Sequence, residues 1–280
     1  MANYDFKPDL CEEASVTECI LSYGGGVNST ALLLEWLRRG NELDALIFAD
    51  PGSEMPETYE FIERSIKPFC KERNIPFETV RLRAGNRNPN WDEGEVIPIY
   101  EGYARNRGVP AIRMRTCSIK WKGSLIDKMI AEKYKGAHHL IGIDYSEKHR
   151  AKIFIDPETG KEEYVYPDKS YPLVDWEWTR DDCIQAIEEY GWEVPVKSGC
   201  YFCPFQSRDS WKALYENHPA LYIKAELLES NNNSFPDYGL MQSNPKRLDW
   251  YRKAMETQTT LDSYTDSEEA ANIPCMCYDG

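Results

Sequence analysis

The sequence predicts an α/β fold, a parallel twisted sheet flanked by helices, with a mostly helical carboxyl-terminal region that carries a cysteine cluster. Three observations carry this reading. Strand-like and helix-like segments alternate through the first half of the 280 residues, the order expected of βαβ units. A glycine-rich turn, Gly24-Gly25-Gly26, joins the first strand to the first helix. Beyond about residue 165 the apolar spacing becomes helical, so residues 1–165 read as a nucleotide-binding α/β domain and 166–280 as a helical region with a polar tail.

Taken in order, Cys19-Ile20-Leu21 is an apolar strand and Ala31 to Leu37 a helical run. Ala45 to Ala49 reads as a buried strand ending at Asp50-Pro51-Gly52. Glu57 to Asn74 is helical in composition, with Pro68 expected to break or kink it. Phe77 to Leu82 reads as a third strand and Ser118 to Tyr134 as a helix. His139 to Ile143 is a fourth strand. Between them, Ala84 to Met114 is rich in glycine and proline and has little periodicity, which predicts a long lid or binding loop. Asp156 to Lys161 reads as a hairpin tip. Further helices are expected at Arg180–Tyr190, Arg208–Glu216, Pro219–Glu229 and Pro245–Glu256.

Hydrophobic content of 41% implies a folded protein, and no stretch approaches the length of a membrane span. The amino terminus lacks a basic-then-apolar signal, so cytoplasmic residence is the expectation. A net charge of −14 argues against a general nucleic-acid coat. Yet Arg105, Arg107, Arg113, Arg115, Lys120 and Lys122 fall in one stretch without an acidic residue, with Arg81, Arg83 and Arg87 upstream. That concentration favours contact with phosphate or nucleic acid over a merely solvated surface. Nine cysteines in a chain of this expected compartment favour metal or redox chemistry over disulfides.

The glycine turn is the strongest local signal. Glycines let the backbone approach a ligand closely, and the helix that follows aims its N–H groups and the positive end of its dipole at the turn. This marks a phosphate or pyrophosphate cradle. Asn28-Ser29 stands where a P-loop kinase would carry Lys-Ser/Thr. Ligands of parallel sheets sit at the carboxyl ends of strands, where Asp50 and Asp144 are expected to join the loop. Asp50 suits magnesium or a nucleotide hydroxyl. Glu147 and Arg150, at i and i+3, can pair on one helical face, and Arg150 also suits phosphate.

These segments resemble the PP-loop ATP pyrophosphatase superfamily, in its phosphoadenosine-phosphosulfate (PAPS) reductase-like, phage-type and sulfur-transfer branch. Ser29, Gly25 and Gly26 match the Ser-Gly-Gly-x-Asp-Ser signature, while Gly24 replaces its first Ser and Asn28 its Asp. Asp50-Pro51-Gly52-Ser53-Glu54-Met55-Pro56-Glu57-Thr58 is similar to the Asp-Thr-Gly-x-Glu-x-Pro-Glu-Thr segment, and Gly142 to Arg150 to Gly-Ile-x-x-x-Glu-x-x-Arg. The resemblance implies an adenine nucleotide alpha hydrolase-like fold that binds ATP and Mg2+. Its nucleotide contacts would be Ser22, Gly24, Gly25, Gly26, Asn28, Ser29, Thr30, Asp50, Gly142, Asp144, Glu147 and Arg150. Asp50, Arg150 and Cys117 would be catalytic.

Cys200-Tyr201-Phe202-Cys203-Pro204 supplies two thiols close enough to share an ion, a cluster or a redox bond. Cys117 is the best third, with Cys183, Cys275 and Cys277 as candidates for a fourth; Cys11, Cys19 and Cys70 read as structural. By the same resemblance, Cys117, Cys200 and Cys203 would hold a 4Fe-4S cluster with one iron open to sulfide or substrate. Zinc is the alternative. His138 and His139 read as structural, and Trp176 and Trp178 as core, with base stacking the lesser reading. Three functions stay open. The first is an ATP pyrophosphatase that adenylates a tRNA, DNA or nucleotide-like acceptor for sulfur transfer, with the Arg105–Lys122 stretch meeting the acceptor. The second is an adenylyl-sulfate reductase, although the tail Pro274-Cys275-Met276-Cys277-Tyr278 lacks that family's nucleophile segment. The third is a non-catalytic binding module with a structural metal. The sulfur donor and oligomeric state are not legible.

Overall fold

The computed structural model describes residues 18–257 except 87–90, 112–114, 158, 159, 161, 234–238 and 242–246. Cys11, Arg87, Arg113, Cys275 and Cys277, and part of the expected hairpin tip and of the Pro245–Glu256 helix, lie outside the described residues.

Five strands form one sheet in the order β3-β2-β1-β4-β7, from Phe77–Val80, Ala45–Ala49, Cys19–Tyr23, His138–Ile141 and Lys169–Ser170. The β1–β2, β1–β4 and β4–β7 pairs are parallel. Every residue of β1 and β2 is buried, as expected where both faces of a sheet are covered. A separate antiparallel hairpin, β5 (Ile153–Ile155) with β6 (Glu162–Tyr164), brackets the expected tip. The helices in chain order are α1 (Val27–Arg38), α2 (Pro56–Phe61), α3 (Lys67–Glu72), α4 (Ile99–Arg105), α5 (Thr116–Ser118), α6 (Ser124–Lys133), α7 (Pro172–Asp175), α8 (Arg180–Glu189), α9 (Arg208–Asn217), α10 (Pro219–Ser230) and α11 (Leu248–Glu256). The α/β architecture read from the sequence is therefore present.

Two segments differ from expectation. The helix over Glu57–Asn74 is not broken at Pro68; a π turn, Ile62–Ile66, lies just before it, closed by Lys67 N–H on the Ile62 carbonyl. Proline has no N–H and its ring crowds the carbonyl four residues back, so one extra residue in the turn absorbs the misfit. The Ala84–Met114 stretch is not a bare loop: it contains α4, which is short and carries Gly102, too little for periodicity to reveal. Trp121 explains that glycine, since an added Cβ would stand 2.7 Å from its ring.

The chain groups into two compact units. The first is residues 1–48, 57–79 and 126–197; the second is 49–56, 80–125 and 198–280. Residue 165 falls inside the first unit, because the chain still owes that unit β7, α7 and α8. Each unit has its own apolar core. In the first, Leu21, Leu32, Leu33, Leu46, Phe48, Phe69 and Cys183 pack around the sheet. In the second, Trp121, Phe202, Trp211, Tyr222 and Leu240 belong to a separate apolar cluster.

Candidate functional site

In the first unit the glycine loop leaves β1 and opens α1. Gly25 sits at φ +78°, a left-handed conformation that L side chains resist, and a Cβ there would stand 2.6 Å from Thr58 Cγ2. Gly26 caps α1 in extended backbone without a side-chain cap, and no acidic residue occupies the first turn. The N-terminal N–H groups of α1 thus face no side-chain acceptor at the cap. Gly24 N–H donates to Ser29 Oγ at 3.2 Å, and Ser29 Oγ donates to the Gly26 carbonyl at 3.2 Å. Thr30 Oγ1 donates to the same carbonyl at 2.9 Å and meets Tyr23 OH at 3.0 Å. The two hydroxyls therefore shape the loop from within.

The end of β4 closes on this turn. Gly142 has no room for a side chain: a Cβ would lie 3.0 Å from Ser29 N and 3.1 Å from Ser29 Cα. Two residues on, Asp144 is buried and accepts three hydrogen bonds, from Ser146 N–H at 3.0 Å, from Ser146 Oγ, and from Asn28 Nδ2 at 2.8 Å. All three donors are neutral. Asn28 Oδ1 is buried and has no hydrogen-bond partner among the described residues, as is the case for Thr58 Oγ1. The amide cannot be turned over, since that would set two acceptor oxygens against each other. Asn28 thus meets Asp144, and Gly142 packs against Ser29, at the turn that Gly25 shapes.

Glu147 and Arg150 form the anticipated ion pair, on a 3-10 segment, Tyr145–Ala151, with Glu147 outside helical geometry. Ser22 is committed elsewhere: its hydroxyl pairs with His139 Nε2 on the neighbouring strand, and His138 pairs with Ser170. Burial, with Lys169 adding to it, pushes the His139 ring down to about 3, so it is neutral. Trp176 and Trp178 pack edge to face, with the Arg39 guanidinium 4.0 Å above the Trp176 ring, which gives them core partners.

Asp50 belongs to the second unit. Its Oδ2 accepts from Arg81 Nε at 2.8 Å and its Oδ1 from Gly52 N–H at 2.7 Å. A guanidinium therefore already balances this carboxylate.

The same unit holds the three cysteines. Cys117 sits in α5, and Cys200 and Cys203 bracket a tight turn closed by Cys203 N–H on the Cys200 carbonyl at 2.9 Å. Burial pushes the Cys203 thiol up to about 11 and raises the Cys200 thiol as well; Cys200 also feels Cys203 and Cys117, and Cys203 feels Cys117. Among the described residues no three His, Cys, Asp or Glu side chains close on a single ion. Three neighbouring thiols are a donor set that suits either a metal cluster or zinc. Cys183 lies in the first unit, fully buried, and burial raises its thiol to about 12, as for a structural cysteine.

Among the described residues of the basic stretch, Lys122 does not share an exposed face with the others. Lys122 is internal and bonds Glu54 Oε1 through Nζ at 2.6 Å, both side chains buried. Arg105 lies 3.7 Å over the Trp91 ring, Arg115 5.6 Å from the Phe205 ring and Lys120 4.7 Å from the Trp121 ring. The Lys122–Glu54 pair went unread in the sequence. Its lysine sits in a second π turn, Ile119–Gly123, and the paired carboxylate lies 68 residues away in sequence.

No helix among the described residues is long and apolar enough to cross a membrane. No family model matches the chain, and no curated protein matches it. Among solved structures it is similar to the U34-tRNA thiolase NcsA from Methanococcus maripaludis with its 4Fe-4S cluster, at 15% identity and a TM-score of 0.41 over 92% of this chain and 80% of that one.

Proposed function

We propose that the chain is a PP-loop-type ATP pyrophosphatase that adenylates an acceptor for sulfur transfer. The observation that carries this reading is the buried carboxylate of Asp144 beside the glycine loop, whose hydrogen bonds among the described residues come from neutral donors. A buried charge served only by neutral donors is costly unless a cation joins it. Here magnesium brought in with the nucleotide would do so, with Asn28 Oδ1 as a neutral second oxygen.

The backbone of Gly25, Gly26 and Ser29 would receive the β- and γ-phosphates, helped by the dipole of α1. An acceptor oxygen would attack the α-phosphorus, breaking its bond to the bridging oxygen and releasing pyrophosphate. A sulfur nucleophile would then bond the activated carbon, and AMP would leave with the acceptor's oxygen. Arg150, held by Glu147, would offset charge in the first step. Cys117, Cys200 and Cys203 would hold a 4Fe-4S cluster. Such a cluster, bound by three thiolates, supplies one iron without a protein ligand at which sulfur can be carried. Arg115 and Lys120 support a nucleic-acid acceptor, tRNA or DNA; buried Lys122 does not share that role.

Pyrophosphate release from ATP in the presence of magnesium and pools of small RNA or DNA tests the proposal. Release that needs both ATP and one acceptor pool is expected, and Asp144→Asn should remove it. Tight nucleotide binding with no pyrophosphate from any pool would leave a binding module instead.

A further inference from the structure

We propose that Lys122 is the internal counter-charge of the group held by Cys117, Cys200 and Cys203, and that Glu54 fixes its position. This rests on the thiol reading above and adds two residues to it. Lysine is almost never buried unless paired, and a buried ion pair is weak support for stability, because apolar replacements of similar volume often do as well or better. The Lys122–Glu54 pair is nonetheless 2.6 Å long, with 11% and 0% of the two side chains exposed.

Its placement ties it to the cysteines on both sides. Glu54 stands opposite Cys200 in a short antiparallel bridge. Met55 N–H donates to the Gly199 carbonyl at 3.1 Å and Tyr201 N–H to the Ser53 carbonyl at 3.0 Å. The Glu54 carboxylate and the Cys200 thiol therefore ride on backbone segments locked to each other. Lys122 sits in the π turn Ile119–Gly123 that directly continues α5, the element that carries Cys117, and its ammonium is internal. Its charge is felt at Cys200 and Cys203. Three thiolates gathered here would repel one another and the Glu54 carboxylate; Lys122 is the buried cation that makes that negative charge tolerable. Glu54 keeps the ammonium from swinging to solvent when the thiols are empty.

The test uses the full chain purified without oxygen, comparing wild type with Lys122→Met, Lys122→Arg, and the double variant Lys122→Met/Glu54→Gln, which leaves no charge stranded in the core. Iron, zinc and acid-labile sulfide per chain, the reduction potential of any cluster, and urea unfolding are measured. Lys122→Met and the double variant are expected to retain severalfold less metal, or to hold a cluster at a more negative potential, while Lys122→Arg stays near wild type. A double variant with wild-type metal content and potential would overturn the inference while leaving the thiol site intact, even if Lys122→Met alone is less stable. Wild type without any bound metal would overturn the thiol site and this inference together. Zinc in place of iron would correct the group's identity, and the same loss of metal in the variants would then be required.

Discussion

Position 28 carries an amide where the PP-loop signature has a carboxylate, and the negative charge stands instead on Asp144, 2.8 Å away. Asn28→Asp should therefore set two carboxylates against each other. Without divalent ions the unfolding free energy should drop by about 1–3 kcal/mol, the usual cost of stranding a buried polar group, and millimolar magnesium should restore it. Urea titrations with and without magnesium check this. His139 gives a second test. Its folded pKa lies at about 3, below the usual 6.5, so the contribution of the neutral ring is complete above pH 6.5 and is lost as pH falls towards 3. The slope from this one group is at most about 1.4 kcal/mol per pH unit, and His139→Gln should subtract it from the measured profile. The sequence showed Asn28 and the Glu147–Arg150 pair directly, because both are local. It did not show Asp144 as the partner of Asn28, which lies 116 residues away and is brought in by β4 pairing with β1.

Regular elements were legible wherever apolar spacing was long and uninterrupted, as in α1, β2 and α8. The π turns were not, because a single added residue rotates everything after it by about a quarter turn without changing composition. Lys122 read as part of a surface run because charge was followed along the sequence, and its buried partner Glu54 lies 68 residues away. Alpha-helix ends were legible in part: Thr179 and Asp182 form a reciprocal capping box at the start of α8. Asp182→Ala should cost about 1 kcal/mol of stability in urea unfolding, with no change in nucleotide or metal binding. Gly142→Ala belongs at this scale too, since its methyl would press on the Ser29 backbone rather than on a movable side chain. It should weaken nucleotide binding in calorimetry at least tenfold while the rest of the first unit still folds; unchanged affinity would remove the loop from the proposed site.

At the scale of the molecule, the thiols and the glycine loop lie in different compact units of one chain. Cys117→Ser, Cys200→Ser and Cys203→Ser should each lose metal while ATP binding to the first unit is kept. Parallel loss of both would show that the units do not hold their ligands independently. Fold class was open to sequence because alternation of elements is a local pattern repeated. Composition changes once near residue 165, whereas the backbone passes between the two compact units repeatedly. Three segments of each unit alternate along the chain, so the path crosses between them five times. Neither unit exists as a contiguous stretch of polypeptide. Neither can be expressed alone as one uninterrupted cassette, and the two finish at different times during synthesis: the first is complete once residue 197 has emerged, the second only with the final segment, from residue 198.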